Sequence, residues 1–164
     1  MATTAVTVQE YLSSVYESDC EYMDGQVLER NWGEIDHSRL QLAIGSYFYA
    51  RRKEWGICAL IAVRVQVSPA RIRVPDACIL VGQPTGQILR APPIICIEIL
   101  SPEDRFLRMN EKIADYLRFG VPYVWIIDPQ THKAWRCTPG AMVEVPELRT
   151  ENPAMVVPLE ELFD

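Results

Sequence analysis

The sequence has no Cys-x-x-Cys pair, only two histidines, no excess of basic residues and no long apolar run. Each absence removes a class of function. Its five cysteines, Cys20, Cys58, Cys78, Cys96 and Cys137, are odd in number and widely spaced, which argues against a zinc ribbon or a thioredoxin-type site. They read as reduced, mostly buried thiols of a cytoplasmic protein. The longest apolar stretch, within GICALIAV, is far too short to span a membrane. MATTAVTVQEYLSS has no basic segment followed by an apolar one, so no secretory signal is expected. A net charge of −6 gives no help to nonspecific nucleic-acid binding, which comes largely from neutralising phosphates with Lys and Arg. Cations gather locally in ARRK (50–53), RIR (71–73) and RFLR (105–108), but such runs are ordinarily solvated surface.

What is present suits a globular fold. The 164 residues, 49% hydrophobic and 23% charged, fit a single domain over 1–164 that buries a real core without staples. TVQEYLSSVYES reads as a short opening helix, and CEYMDGQVLER as a hairpin turning at Asp24-Gly25. Leu40, Ile44, Tyr47 and Phe48 share one face of a long helix that Gly56 ends. Three strands are predicted next, CALIAVRVQVS, VPDACILV and IICIEIL. Ser101 suits an N-cap and Pro102 a first helical position, which predicts a helix running to Phe119, with Gly120 beyond. YVWIID is a further strand, KAWRC and AMVEV pair as edge strands, and the tail ENPAMVVPLEELFD ends in a short helical turn at most. The order implies a mixed α/β domain.

Within IICIEILSPEDR, Glu98 stands amid Ile94, Ile95, Cys96, Ile97, Ile99 and Leu100. An ionised carboxylate there costs several kcal/mol unless a cation, a metal or a proton compensates it. Asp76 raises the same question at the entry to VPDACILV. Two acids on consecutive core strands repel unless a divalent cation lies between them, as in oxygen-rich Mg²⁺ sites. Lys112, at the margin of a helix face marked by Ile113, Tyr116 and Leu117, can lay its stem on the sheet and reach the strand end. The plainer alternative is structural, with Glu98 paired to a buried arginine or lysine and Lys112 on the surface.

VPDACILV, IEILSPEDR, Lys112 and YLRFGVPYVWIIDP together resemble the Uma-type family of predicted bacterial endonucleases, within the PD-(D/E)XK, restriction-endonuclease-like superfamily. The resemblance extends from about residue 7 to residue 128. It implies a restriction-endonuclease-like core, a central mixed sheet flanked by helices, and metal-dependent cleavage of DNA phosphodiesters with Mg²⁺ or Mn²⁺. Asp76 matches the aspartate of the PD element and Glu98 the second acid. The superfamily lysine two residues after that acid is absent, since position 100 is leucine; Lys112 takes its place from the following helix. Glu21 matches an acid of the opening hairpin, and His37 a histidine at the start of the first long helix. Ser101 reads as a cap, and Arg105 and Arg108 as phosphate contacts or plain surface. Asp76 and Glu98 are the expected metal ligands. A homodimer joined through edge strands near KAWRC would suit cutting both strands of a duplex. An inactive nucleic-acid-binding or regulatory module on the same scaffold is the rival reading, motivated by the acidic charge and by Leu100.

Overall fold

Near-continuous apolar runs rich in β-branched residues, buried on both faces, build the centre of the molecule. A computed structural model describes residues 5–30 and 33–163. The chain runs α1 (Val8–Ser13), β1 (Cys20–Met23), β2 (Gln26–Glu29), α2 (Ile35–Trp55), β3 (Ile57–Ile61), β4 (Val65–Ser68), β5 (Arg71–Arg73), β6 (Ala77–Val81), β7 (Ile95–Ile99), α3 (Phe106–Phe119), β8 (Tyr123–Asp128), β9 (Lys133–Thr138), β10 (Ala141–Val145), β11 (Glu147–Glu151) and β12 (Ala154–Pro158), then a closing 3-10 turn at Leu159–Leu162. The fold is mixed, with helices and three sheets.

The main sheet has the order β10-β9-β8-β7-β6-β3. Only β7 and β8 are parallel, and α3 is the crossover such a pair requires. Alternation along β7 divides the core. Ile95, Ile97 and Ile99 pack with Leu40, Ile44 and Phe48 of α2, while Cys96 joins Met109, Ile113 and Tyr116 of α3. A second sheet, β2-β1-β5-β4, stands beside the main one. Its hairpin turns at Asp24 (φ 48°) and Gly25 (φ 91°), the positive pair that a two-residue loop demands.

Two expectations are corrected. CALIAVRVQVS is not one strand: Ala62 takes φ 50°, and β3 and β4 pair into different sheets. The helix expected from Ser101 begins at Phe106. The Asp104 carboxylate accepts the Ser101 N–H (2.6 Å) and the Asp104 N–H bonds the Ser101 carbonyl (3.0 Å), so the capping residues close a turn instead. The tail ends in the expected short turn, 3-10 at Leu159–Leu162, after a hairpin, β11–β12, whose Leu148, Met155 and Val157 enter the α2-side core. All five cysteines are free, four of them buried. Among the described residues no helix is long and apolar enough to cross a membrane.

Ile97, fully buried in the α2-side core, should lose about 2–5 kcal/mol of stability as Ile97→Ala. Ile35→Ala, at a position 71% exposed, should stay within about 0.5 kcal/mol. Urea denaturation compares the two.

Candidate active site

Antiparallel register brings the two acids together. Ala77 faces Ile97, Cys78 faces Cys96 and Ile79 faces Ile95. Asp76 precedes the paired Ala77 and Glu98 follows the paired Ile97, so the two acids stand at adjoining positions where the ladder ends. The Ile99 N–H donates to Asp76 Oδ2 (2.8 Å), tying the two strand ends. Alternation directs Glu98 to the face of Cys96, which α3 covers. Lys112 and Tyr116, one helical turn apart, both reach it there: Nζ lies 2.9 Å from Oε2, and the Tyr116 hydroxyl donates to Oε1 at 2.6 Å.

The neighbouring sheet supplies the rest of the floor. Glu21, on β1, is fully buried. Its Oε1 lies 3.0 Å from Lys112 Nζ and accepts the Val74 N–H at 3.0 Å, while Oε2 accepts from Arg73 at 3.1 Å. Arg73 is buried too, its Nε donating to Asp115 Oδ2 at 2.8 Å. A second guanidinium nitrogen stands 2.7 Å from the same oxygen, off the hydrogen-bond line, and contributes by charge alone. Asp115 is held also by Arg71 (3.0 Å), which continues to Asp24 and Glu111 at the surface.

Asp76 is engaged from the other side. Arg30, just after β2, donates to Oδ1 at 2.5 Å, and His37 Nε2 of α2 lies 3.4 Å away. Gln41, one turn along α2, donates to the Asp76 carbonyl (2.9 Å). These groups line one cavity of about 410 Å³, open to solvent, whose wall includes Glu21, Arg30, His37, Asp76, Glu98 and Lys112. Arg108 also lines it and donates to the Glu29 carbonyl; Arg105 lies outside, at the start of α3.

All five residues singled out from the sequence, Asp76, Glu98, Lys112, Glu21 and His37, therefore meet at one cavity. Lys112 lies well inside, not at the margin of its helix face, and Arg73 within RIR is core, not surface. The sequence reading passed over Arg30, Arg73 and the hydroxyl of Tyr116. Charge balance was the available signal: three buried acids cannot be answered by one lysine, so further cations had to be close.

Electrostatics separates the acids. Burial opposes ionisation of Asp76, but His37, Arg30 and Lys112 outweigh it and hold the carboxyl down at about 2. Glu21 is likewise kept below the usual range, Lys112 and Arg73 overcoming its burial. Glu98 is pushed up to about 7 by burial, which Lys112 only partly offsets, and repulsion from Asp76 and Glu21 adds to the rise. Burial alone would lower Lys112; Glu98, Glu21 and Asp76 reverse this and keep it protonated.

Among the described residues no group of three or more His, Cys, Asp or Glu side chains is arranged to hold a metal ion. Mg²⁺, however, commonly takes one or two carboxylates and keeps several waters. A carboxylate offers about four lone-pair positions. Asp76 uses those facing Arg30, His37 and Ile99, and Glu98 those facing Lys112 and Tyr116, so both retain acceptor capacity at the floor of the cavity that they line. The hard oxygen donors fit such an ion.

Removing Arg73 would leave Glu21 and Asp115 buried without their shared cation. Arg73→Met should cost about 3–5 kcal/mol. Arg71→Met, at a partly solvated site, should cost about 1 kcal/mol or less. Thermal or urea unfolding distinguishes them.

Comparison with known proteins adds three findings. The family model named Uma2 and described as "Putative restriction endonuclease" matches residues 8–164. A crystal structure titled a putative nuclease belonging to DUF820, from Anabaena variabilis, superimposes with a TM-score of 0.82 at 21% identity, covering 96% of this chain and 97% of that one. No curated protein matches the sequence significantly.

Proposed function

Because the chain belongs to the Uma2 family, whose model spans residues 8–164 and is described as "Putative restriction endonuclease", we propose that it is a nuclease that hydrolyses DNA phosphodiesters with Mg²⁺ or Mn²⁺. The observation that carries this reading is the convergence of Asp76, Glu98 and Lys112 on one solvent-open cavity. Asp76 and Glu98 are the residues that would hold the cation. When bound, such an ion polarises a phosphoryl oxygen and makes water a better nucleophile.

The chain's own groups have distinct tasks. Lys112, kept protonated by three acids, offsets charge that develops on the phosphoryl oxygens. Tyr116 fixes the Glu98 rotamer by its hydroxyl bond, and Glu21 fixes the lysine from the opposite side. His37 and the Ile99 N–H orient Asp76. Asp76 is the acid ready to act as an anion, whereas Glu98 gives up its proton near neutral pH.

One observation favours a second reading, a nucleic-acid-binding or regulatory module without turnover. Asp76 already pairs with Arg30 and Glu98 with Lys112, so each acid has a protein cation before any metal arrives. Plasmid nicking in Mg²⁺ or Mn²⁺ separates the two. Wild type should cut and chelation should stop it; Asp76→Ala and Glu98→Ala should fall to background, and Lys112→Ala should lose about a hundredfold. Equal cleavage by all four proteins would remove the site from consideration. A wild type that binds DNA and cuts none would favour the module.

A further inference from the structure

Arg30 is a cation with two possible partners in this cavity. Its backbone N–H bonds the Asp19 carbonyl (3.0 Å), so the hairpin fixes its root. Its head spans from floor to rim: one terminal nitrogen donates to Asp76 Oδ1 (2.5 Å), and the other stands 3.5 Å from the exposed Asp19 carboxylate. The side chain is 16% exposed, against 3% for Asp76, so it covers the acid from the solvent side.

The acids of the floor are paired with Arg30 docked. Asp76 pairs with Arg30, Glu98 with Lys112, and Glu21 with both Lys112 and Arg73, which also holds Asp115, so each of these acids already has a cation. A divalent cation at Asp76 would meet the guanidinium at ion-pair range, and two like charges cannot share one anion without loss. Lys112 and Arg73 cannot yield, since each is buried between two acids. Arg30 can: it sits nearest to solvent, and Asp19 offers it a partner on the rim. Asp76 would keep His37 and the Ile99 N–H after it left. A guanidinium released at the mouth of this cavity, beside Arg108, presents a planar fork suited to a phosphodiester.

We propose that Arg30 is the counter-ion that a divalent cation displaces from Asp76, and that the freed guanidinium then binds a phosphate of the DNA. This rests on the nuclease reading above and adds a residue that couples metal loading to substrate binding. Mn²⁺ titration by calorimetry, without DNA, tests the first half on wild type, Arg30→Ala, Arg30→Lys and Asp76→Ala, with circular dichroism confirming that each is folded. Arg30→Ala should bind Mn²⁺ about tenfold more tightly than wild type, and Arg30→Lys close to wild type. Fluorescence anisotropy of a labelled duplex in Ca²⁺ tests the second half: Arg30→Ala should bind about tenfold more weakly, with Arg30→Lys between. Mn²⁺ binding that is lost in Asp76→Ala but unchanged or weakened in Arg30→Ala would overturn the Arg30 proposal alone, as would unaltered duplex binding. A wild type that binds no Mn²⁺, or binding that survives Asp76→Ala, would overturn the metal reading and this proposal with it.

Discussion

A carboxylate on the most buried strand of the sheet sets the terms for everything around it. Glu98 on β7 is 2% exposed, and its neighbours along the strand are isoleucines. It needs Lys112, and Lys112, itself buried, is held by Glu21 as well. Glu21 needs Arg73, and Arg73 needs Asp115. Beyond Asp115 the sequence of obligations ends in solvent, at Arg71 with its exposed partners Asp24 and Glu111 and at the exposed Arg118. Each member is tolerable because the next is present. That is the behaviour of buried ionic networks, in which removing one partner costs far more than the intact pair contributes.

This network also explains how two sheets share one site. Glu98 belongs to the main sheet, Glu21 and Arg73 to the smaller one, and Lys112 and Asp115 to the helix between them. The helix carries lysine and aspartate three residues apart, so Lys112 meets acids on both sheets while Asp115, from the same turn, meets the arginines of the smaller one. A rigid strand, buried along its whole length, holds the acid in place. The apolar clusters on either side keep that strand from shifting.

Much of this was legible in the sequence, for a physical reason. Glu98 and Asp76 stood out because a charge inside an apolar run is expensive, and cost is visible without coordinates. The Asp24-Gly25 hairpin and the Gly56 helix end were legible because positive φ has few chemical solutions. What could not be read was partnership across distance. Arg30 meets Asp76 over 46 residues, and Arg73 meets Glu21 over 52. Neither arginine carries any local mark that separates it from a solvated one. The helix start misled for the opposite reason: Ser-Pro-Glu-Asp is a strong local signal, and the same side chains close a turn equally well.

The position of the lysine follows from the same geometry. Residues 98 and 100 share one face of the extended chain, so a lysine at 100 would run beside the carboxylate on the strand itself. Here Leu100 takes that place and packs into the α3-side cluster with Met109, Ile113 and Tyr116. The helix lies over this face, and from two turns into it Lys112 descends to 2.9 Å from Glu98. An ammonium supplied from above meets the same acid as one supplied from alongside, and Leu100 is free to serve the core. Arriving from the helix, Lys112 also lies within reach of Glu21 on the other sheet. Under the proposed function the relocated lysine thus has a second acid that holds it, and its charge is fixed in place before any substrate binds.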